Sequence, residues 1–163
     1  MNPRADFAFV ASHPAHFVAF GFGAGLAPVA PGTAGTLAAL PAYWLMKPYY
    51  SDLEFAVLIA VAFVLGIWAC GRTGRALGVA DHGGMVWDEI VAFWLVLLLA
   101  PDELAWQAAA LVLVRAFDIV KPQPIRYFEA NLKGGFGVMF DDILAACYAL
   151  LALAFAKFTM AGI

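Results

Sequence analysis

The segment FAVLIAVAFVLGIWACG, residues Phe55–Gly71, decides the fold because it places 17 uncharged residues in succession. A helix of this length is at the lower limit for crossing a hydrocarbon core of about 30 Å. The whole chain is 64% hydrophobic and 13% charged, with a mean hydropathy of +0.86. Because a soluble domain carries about 25% charged residues, these values predict helices embedded in lipid.

The segment before Phe55–Gly71 predicts two further helices. Phe7–Met46 contains no Asp, Glu, Lys or Arg, but Pro28 and Pro31 interrupt it. Proline removes a helix hydrogen bond and clashes with the preceding turn. We therefore predict one helix at about Ala15–Leu26 and a second at about Thr33–Met46.

The segment after Phe55–Gly71 predicts a helical hairpin and a last helix. The apolar runs Ile90–Pro101 and Leu104–Val114 are each too short to cross a membrane alone, and Pro101-Asp102 favours a tight reversal between them. A last helix is predicted at Ile143–Ala156, directly after two aspartates. The prediction is one all-α domain, residues 1–163, folded as a polytopic membrane bundle of about five to six helices.

The basic residues predict the topology, because Lys and Arg accumulate in cytoplasmic loops. If Thr33–Met46 crosses outward, the loops Arg72–Trp87 and Ile119–Phe140 lie in the cytoplasm and contain most of the basic residues. Three polar segments then lie on the cytoplasmic side: APVAPGTAGT, DHGGMVWDE and the stretch from FDIVKPQPIRYF to KGGFGVMFDD. This arrangement predicts a multi-pass protein, and any active site that these segments form would face the cytoplasm.

Charge and cysteine content exclude several classes of protein. The net charge is −3 and no basic run occurs, so nucleic acid is not an expected partner. Cys70 and Cys147 have neither CxxC spacing nor a nearby pair of histidines, so they predict neither a disulfide framework nor a zinc site. The N-terminal residues lack the pattern of a secretory signal.

Six of the twelve acidic residues fall at the predicted cytoplasmic ends of helices. Like charges at a low-dielectric boundary repel, so a cation is expected, and oxygen ligands favour Mg²⁺, Mn²⁺ or Ca²⁺. The alternative is that these acids are solvated helix caps. The six residues are Asp81, Asp88, Glu89, Asp118, Asp141 and Asp142.

Cations and hydroxyls near these acids are suited to binding a phosphate. Lys121 and Arg126 offer a point charge and a bidentate fork, and Thr33 and Thr36 offer hydroxyl donors. The alternatives are membrane-surface anchoring for the two cations and helix capping for the threonines. His82 is a further candidate base or ligand, although a single loop histidine is more often neither.

Four separated motifs resemble the phosphatidylglycerophosphatase A family of bacterial lipid phosphatases, over about residues 21–146. They are PGTAGTLAALP, DHGGMVWDEIVAFW, FDIVKPQPIRYFE and KGGFGVMFDDILAA. The resemblance implies an Mg²⁺-dependent enzyme of the bacterial inner membrane that converts phosphatidylglycerophosphate to phosphatidylglycerol. It places the family's acidic positions on Asp81 and the five other acids above, and its KP and R positions on Lys121, Pro122 and Arg126.

The sequence predicts that Mg²⁺ is held by Asp88, Glu89, Asp118, Asp141 and Asp142, which form the catalytic site. Asp81 and His82 are possible additions. Direct attack by water is the preferred route, and an aspartyl-phosphate intermediate is the alternative. Three competing hypotheses remain: hydrolysis of another lipid phosphate, a transporter or ion-conducting protein, and a structural subunit whose acids bind lipid headgroups or a partner.

Overall fold

The described part of the chain is entirely helical. A computed structural model describes residues 5–161, and within them it contains no β-strand. Two 3-10 helices, Gly21–Leu26 and Lys47–Tyr49, accompany the α-helices. The eight α-helices are α1 Phe7–Ala11, α2 Pro14–Ala19, α3 Pro31–Met46, α4 Asp52–Leu77, α5 Trp87–Leu99, α6 Leu104–Val120, α7 Ile125–Asn131 and α8 Gly134–Ala161.

Helix α4 contains the apolar segment on which the fold prediction rests. Ser51 and Glu54 form a capping box at its start, and Gly78 ends it in the left-handed conformation with φ of 72°. Its 26 residues include Phe55–Gly71, so the predicted helix is confirmed and extended at both ends. Apolar side chains remain exposed along one face of α4, at Val57, Val61 and Trp68.

Helix α8 is the second helix that is long and apolar enough to cross a membrane, by length and composition alone. It begins at Gly134, whereas the sequence predicted a start at Ile143. The prediction was wrong because a glycine-rich run was interpreted as a loop. Here glycine allows close packing instead, since a Cβ at Gly135 would overlap the carbonyl oxygen of Ile67.

The predicted hairpin is formed by α5 and α6, which Pro101 and Asp102 connect. Helix α5 lies at the centre of the protein, because it packs against α3, α4, α6 and α8. Ten of its 13 residues are buried. Helix α6 extends to Val120, six residues beyond its predicted end, so Arg115 and Asp118 lie on the helix rather than after it.

The N-terminal prediction was wrong in one respect. The expected single helix Ala15–Leu26 is broken, because Phe22 and Gly23 have φ values of 56° and 103°. Glycine adopts such angles at little cost, which favours a break within GFGAG. The small helices α1 and α7 were also not expected, so the prediction of five to six helices is not confirmed.

Packing between α4 and α8 provides a first testable prediction. An alanine Cβ at position 135 would meet backbone atoms of α4, including the Gly71 nitrogen at 2.6 Å, so the two helices must separate. We expect Gly135→Ala to destabilise the protein by about 1–3 kcal/mol, measured by thermal unfolding in detergent. Gly83→Ala is the control, because an added Cβ there has no atom within 4 Å. Equal melting temperatures for the two variants would contradict the prediction.

Candidate metal centre

Three buried carboxylates come together where α5 begins and α8 passes it. Asp88 and Glu89 lie in the first turn of α5, and Asp142 lies in α8. One oxygen from each lies within 4.8 Å of the others. The three residues are only 6%, 9% and 3% exposed. The alternative of solvated helix caps is therefore wrong for these three acids.

Two oxygens in this triad have no hydrogen-bond partner within residues 5–161. They are Asp88 Oδ1 and Glu89 Oε2, and both are inaccessible to solvent. An unpaired buried charge is strongly destabilising, so such atoms need an explanation. A divalent cation that prefers oxygen ligands fits the donor set, because it would satisfy the free oxygens and offset the mutual repulsion.

The two other predicted ligands are already paired with internal cations. Asp118 Oδ2 lies 2.8 Å from Arg115 Nη1, and Asp141 Oδ2 lies 2.7 Å from Lys121 Nζ. Each of these cations is shared with a second carboxylate, since Arg115 Nη1 also lies 3.2 Å from Glu89 Oε1 and Lys121 Nζ also lies 2.7 Å from Glu129 Oε1. Asp88 and Asp142 have no ion pair among the described residues and Glu89 keeps one free oxygen, so Asp88, Glu89 and Asp142 are the better candidates for metal ligands.

Arg115 belongs to the centre although the sequence did not identify it as a site residue. Its Nη1 also donates to Glu89 Oε1 at 3.2 Å, so the arginine connects α6 to α5. Its spacing from Asp118 could have indicated this role in the sequence, because residues three apart are neighbours on one face of a helix. Asp118 in turn lies close to Asp142.

Lys121 and Arg126 differ in their surroundings. Lys121 ends α6 in the left-handed conformation and donates to both Asp141 and Glu129 at 2.7 Å. Burial alone lowers the pKa of Lys121, but these two hydrogen bonds raise it above its ordinary value, so the ammonium stays charged. Arg126 lies on the exposed side of α7, where it donates to the Val120 carbonyl at 3.4 Å.

The two threonines lie in α3, near its start. Thr36 is fully buried, and its hydroxyl donates to the Gly32 carbonyl at 3.0 Å, so it contributes to the packing of α3. Thr33 is half-buried in the first turn and immediately follows Gly32. Gly32 contacts the centre directly, because a Cβ there would overlap Glu89 Oε1.

A cavity of about 210 Å³ lies beside the centre, between the loop after α4 and the start of α8. Its charged lining residues are Asp81, Glu129, Lys133 and Asp141. Burial and the nearby Asp141 and Glu89 carboxylates raise the pKa of Asp81 to about 6. Asp81 therefore lies close to the predicted ligands without joining the triad.

His82 has a local structural role. Its Nδ1 accepts a hydrogen bond from the Gly84 backbone N–H at 3.0 Å, and its ring lies 5.9 Å from that of Phe20. These contacts fix the turn that leads into α5. The described geometry therefore does not place His82 in the triad.

The chain matches known proteins over most of its length. The model of the family "Phosphatidylglycerophosphatase A" matches residues 17–157. A phosphatidylglycerophosphatase A from Escherichia coli is 41% identical, with 82% of this chain and 78% of that protein covered. The protein of the same name from Haemophilus influenzae is 45% identical, with 86% and 87% covered.

A third relative has a different name. It is the "Putative phosphatidylinositol-3-phosphatase" of Bacteroides thetaiotaomicron, 41% identical, with 86% of this chain and 91% of that protein covered. No solved structure matches the chain. The relatives thus share phosphatase names but differ in the lipid that those names specify.

Proposed function

The chain belongs to the phosphatidylglycerophosphatase A family, and we propose that it hydrolyses the terminal phosphate of phosphatidylglycerophosphate in phospholipid biosynthesis. The products are phosphatidylglycerol and inorganic phosphate. Two relatives with this name, each at least 41% identical, support the choice of substrate. The buried triad of Asp88, Glu89 and Asp142 is the single structural observation that carries the proposal.

Mg²⁺ is the proposed cofactor, with Asp88, Glu89 and Asp142 as its ligands. The free Asp88 Oδ1 and Glu89 Oε2 support this assignment, because hard oxygen donors suit Mg²⁺. When bound, such an ion supplies Lewis acidity that offsets phosphate charge and lowers the pKa of a coordinated water. The two internal ion pairs keep Asp118 and Asp141 beside the triad.

Direct attack by water is the proposed route, and an aspartyl-phosphate on one of the carboxylates is the alternative. Lys121 holds Asp141 at the edge of the cavity beside the centre, which leaves room there for a small polar headgroup. Trapping with hydroxylamine separates the routes, because only an acyl phosphate would give a protein hydroxamate.

The bacterial inner membrane is the proposed location, with the triad towards the cytoplasm. Within the described part of the chain, helices α4 and α8 are the two candidate spans. Helix α5 has 13 residues and reaches only about 20 Å, so it does not cross a core of about 30 Å. We expect the α5–α6 hairpin to be held between the spanning helices, with the triad at its cytoplasmic end.

The substrate can be tested by measuring phosphate release from a lipid panel. The purified protein in detergent would be given phosphatidylglycerophosphate, phosphatidate or phosphatidylinositol 3-phosphate, each with Mg²⁺ or with EDTA. We expect release from phosphatidylglycerophosphate only when Mg²⁺ is present. Faster phosphate release from another lipid would contradict the proposed substrate. Undiminished phosphate release in EDTA would contradict the proposed Mg²⁺ dependence.

Phosphatidylinositol 3-phosphate is included because of one specific observation. The relative from Bacteroides thetaiotaomicron is named for that lipid at an identity equal to that of the Escherichia coli protein, 41%. Sequence identity to these relatives therefore does not show which of the two lipids is the substrate. The transporter and structural-subunit hypotheses predict no phosphate release from any lipid of the panel.

A further inference from the structure

Arg115 divides the Glu89 carboxylate into a paired oxygen and a free one. Its Nη1 lies 3.2 Å from Glu89 Oε1, while Glu89 Oε2 has no hydrogen-bond partner in the described chain. The same nitrogen lies 2.8 Å from Asp118 Oδ2. One guanidinium on α6 therefore fixes two carboxylates, one on its own helix and one on α5.

Gly32 provides the space for this contact. The first turn of α3 lies so close to the pair that a Cβ at position 32 would overlap Glu89 Oε1 and lie 2.7 Å from Arg115 Nη2. Any side chain at this position must displace the glutamate, the arginine or α3 itself. The backbone of α3 thus forms one wall against which the Glu89–Arg115 pair is held.

We propose that Arg115 is a positioning residue that turns the free oxygen of Glu89 towards the metal, and that Gly32 makes room for it. The inference rests on the proposed function, because it assigns a role within the metal centre. The side chains of Arg115 and Glu89 are only 15% and 12% exposed, so their contact is shielded from water. Without the arginine, Glu89 Oε1 would be a second free oxygen, and the carboxylate could rotate.

The variant Arg115→Lys separates this role from simple charge neutralisation. Lysine keeps the positive charge but has a single flexible ammonium, whereas the guanidinium is a rigid planar fork. If Arg115 only offsets charge, Arg115→Lys should bind metal as the wild type does. If Arg115 orients Glu89, the lysine variant should bind metal more weakly.

The test is Mn²⁺ binding to the purified protein, followed by electron paramagnetic resonance with Mn²⁺ standing in for Mg²⁺. Loss of a residue that orients a metal ligand weakens binding by about 10–100-fold, and we expect this range for Arg115→Lys and for Gly32→Ala. In activity assays, the Mg²⁺ concentration for half activation should rise correspondingly, with little change in the KM for lipid at saturating Mg²⁺.

Arg72→Lys and Gly83→Ala are the controls, because Arg72 is exposed on α4 and a Cβ at Gly83 meets open space.

The outcomes distinguish this inference from the function on which it rests. If the wild-type protein binds no Mn²⁺, both the proposed metal centre and the proposed role of Arg115 are wrong. Wild-type protein that binds Mn²⁺ with an affinity equal to that of Arg115→Lys would overturn the role of Arg115 alone. If Arg115→Lys loses its helical circular dichroism, metal binding by Gly32→Ala becomes the test, since this variant keeps every charged group and only displaces the Glu89–Arg115 pair. Mn²⁺ affinity equal to that of the wild type would then overturn the proposal.

Discussion

Replacing Asp142 by asparagine is expected to reduce Mg²⁺-dependent phosphate release by at least about 100-fold, since even residues that only support a metal ligand contribute about 10–100-fold. The substitution keeps the size of the side chain but removes the negative charge from one corner of the triad. Asp88 and Glu89 would remain, with two carboxylates in place of three. Initial rates of phosphate release at saturating lipid measure the effect.

The same variant should be more thermostable than the wild type when EDTA is present. Asp142 is 3% exposed and lies beside two other acids, so its charge is unfavourable without a cation. Lost activity together with increased stability would distinguish a metal ligand from a residue needed for folding. Asp102→Asn, at the exposed turn between α5 and α6, is the matched control and should change neither quantity. Activity near the wild-type level in Asp142→Asn would remove this residue from the site.

Adding Mg²⁺ to the metal-free protein is expected to increase its stability, because the ion binds the folded chain and not the unfolded one. A ligand present at about 100 times its Kd contributes about 2.7 kcal/mol of folding free energy. The physical source is relief of repulsion in the triad, where Asp88 Oδ1 and Glu89 Oε2 gain a partner. Thermal unfolding in detergent across a Mg²⁺ series measures the effect.

Two controls identify the triad as the source of this stabilisation. Potassium chloride at matched ionic strength should have little effect, because screening alone does not satisfy a buried oxygen. Asp88→Asn should abolish most of the Mg²⁺-dependent shift, since Asp88 is 6% exposed and supplies one of the free oxygens. An unchanged shift in Asp88→Asn would place the ion elsewhere on the protein.

The sequence predicted helix type and approximate position well where an apolar run was long. Phe55–Gly71 lies within α4, and the two runs around Pro101 correspond to α5 and α6. It predicted the start of α8 poorly, because glycine-rich residues are weak helix formers by themselves. The close approach of α4 explains Gly135, and a close contact with Leu132 explains Gly137; both contacts are properties of the packed fold.

The sequence also identified the acids of the centre but could not rank them. In the sequence, the five predicted ligands are all acidic residues near helix ends, and nothing there shows which of them are free to bind a metal. In the fold, Lys121 pairs with Asp141 across 20 residues and Arg115 pairs with Glu89 across 26. The position of Thr36 in PGTAGT likewise did not reveal that its hydroxyl donates to the Gly32 carbonyl within α3.

What the amino-acid sequence determined by itself is the helical class, the apolar segments and the set of charged residues, because each depends on composition and local periodicity. Only the tertiary structure decided which carboxylates are free, because an ion pair depends on distances between helices that are remote along the chain. Packing places Arg115 against Asp118 and Glu89, and Lys121 against Asp141, and within residues 5–161 it leaves Asp88 and Asp142 without a cation partner. Charges that are equivalent in the sequence thus become different in the fold, since their energies depend on burial and on the nearest opposite charge.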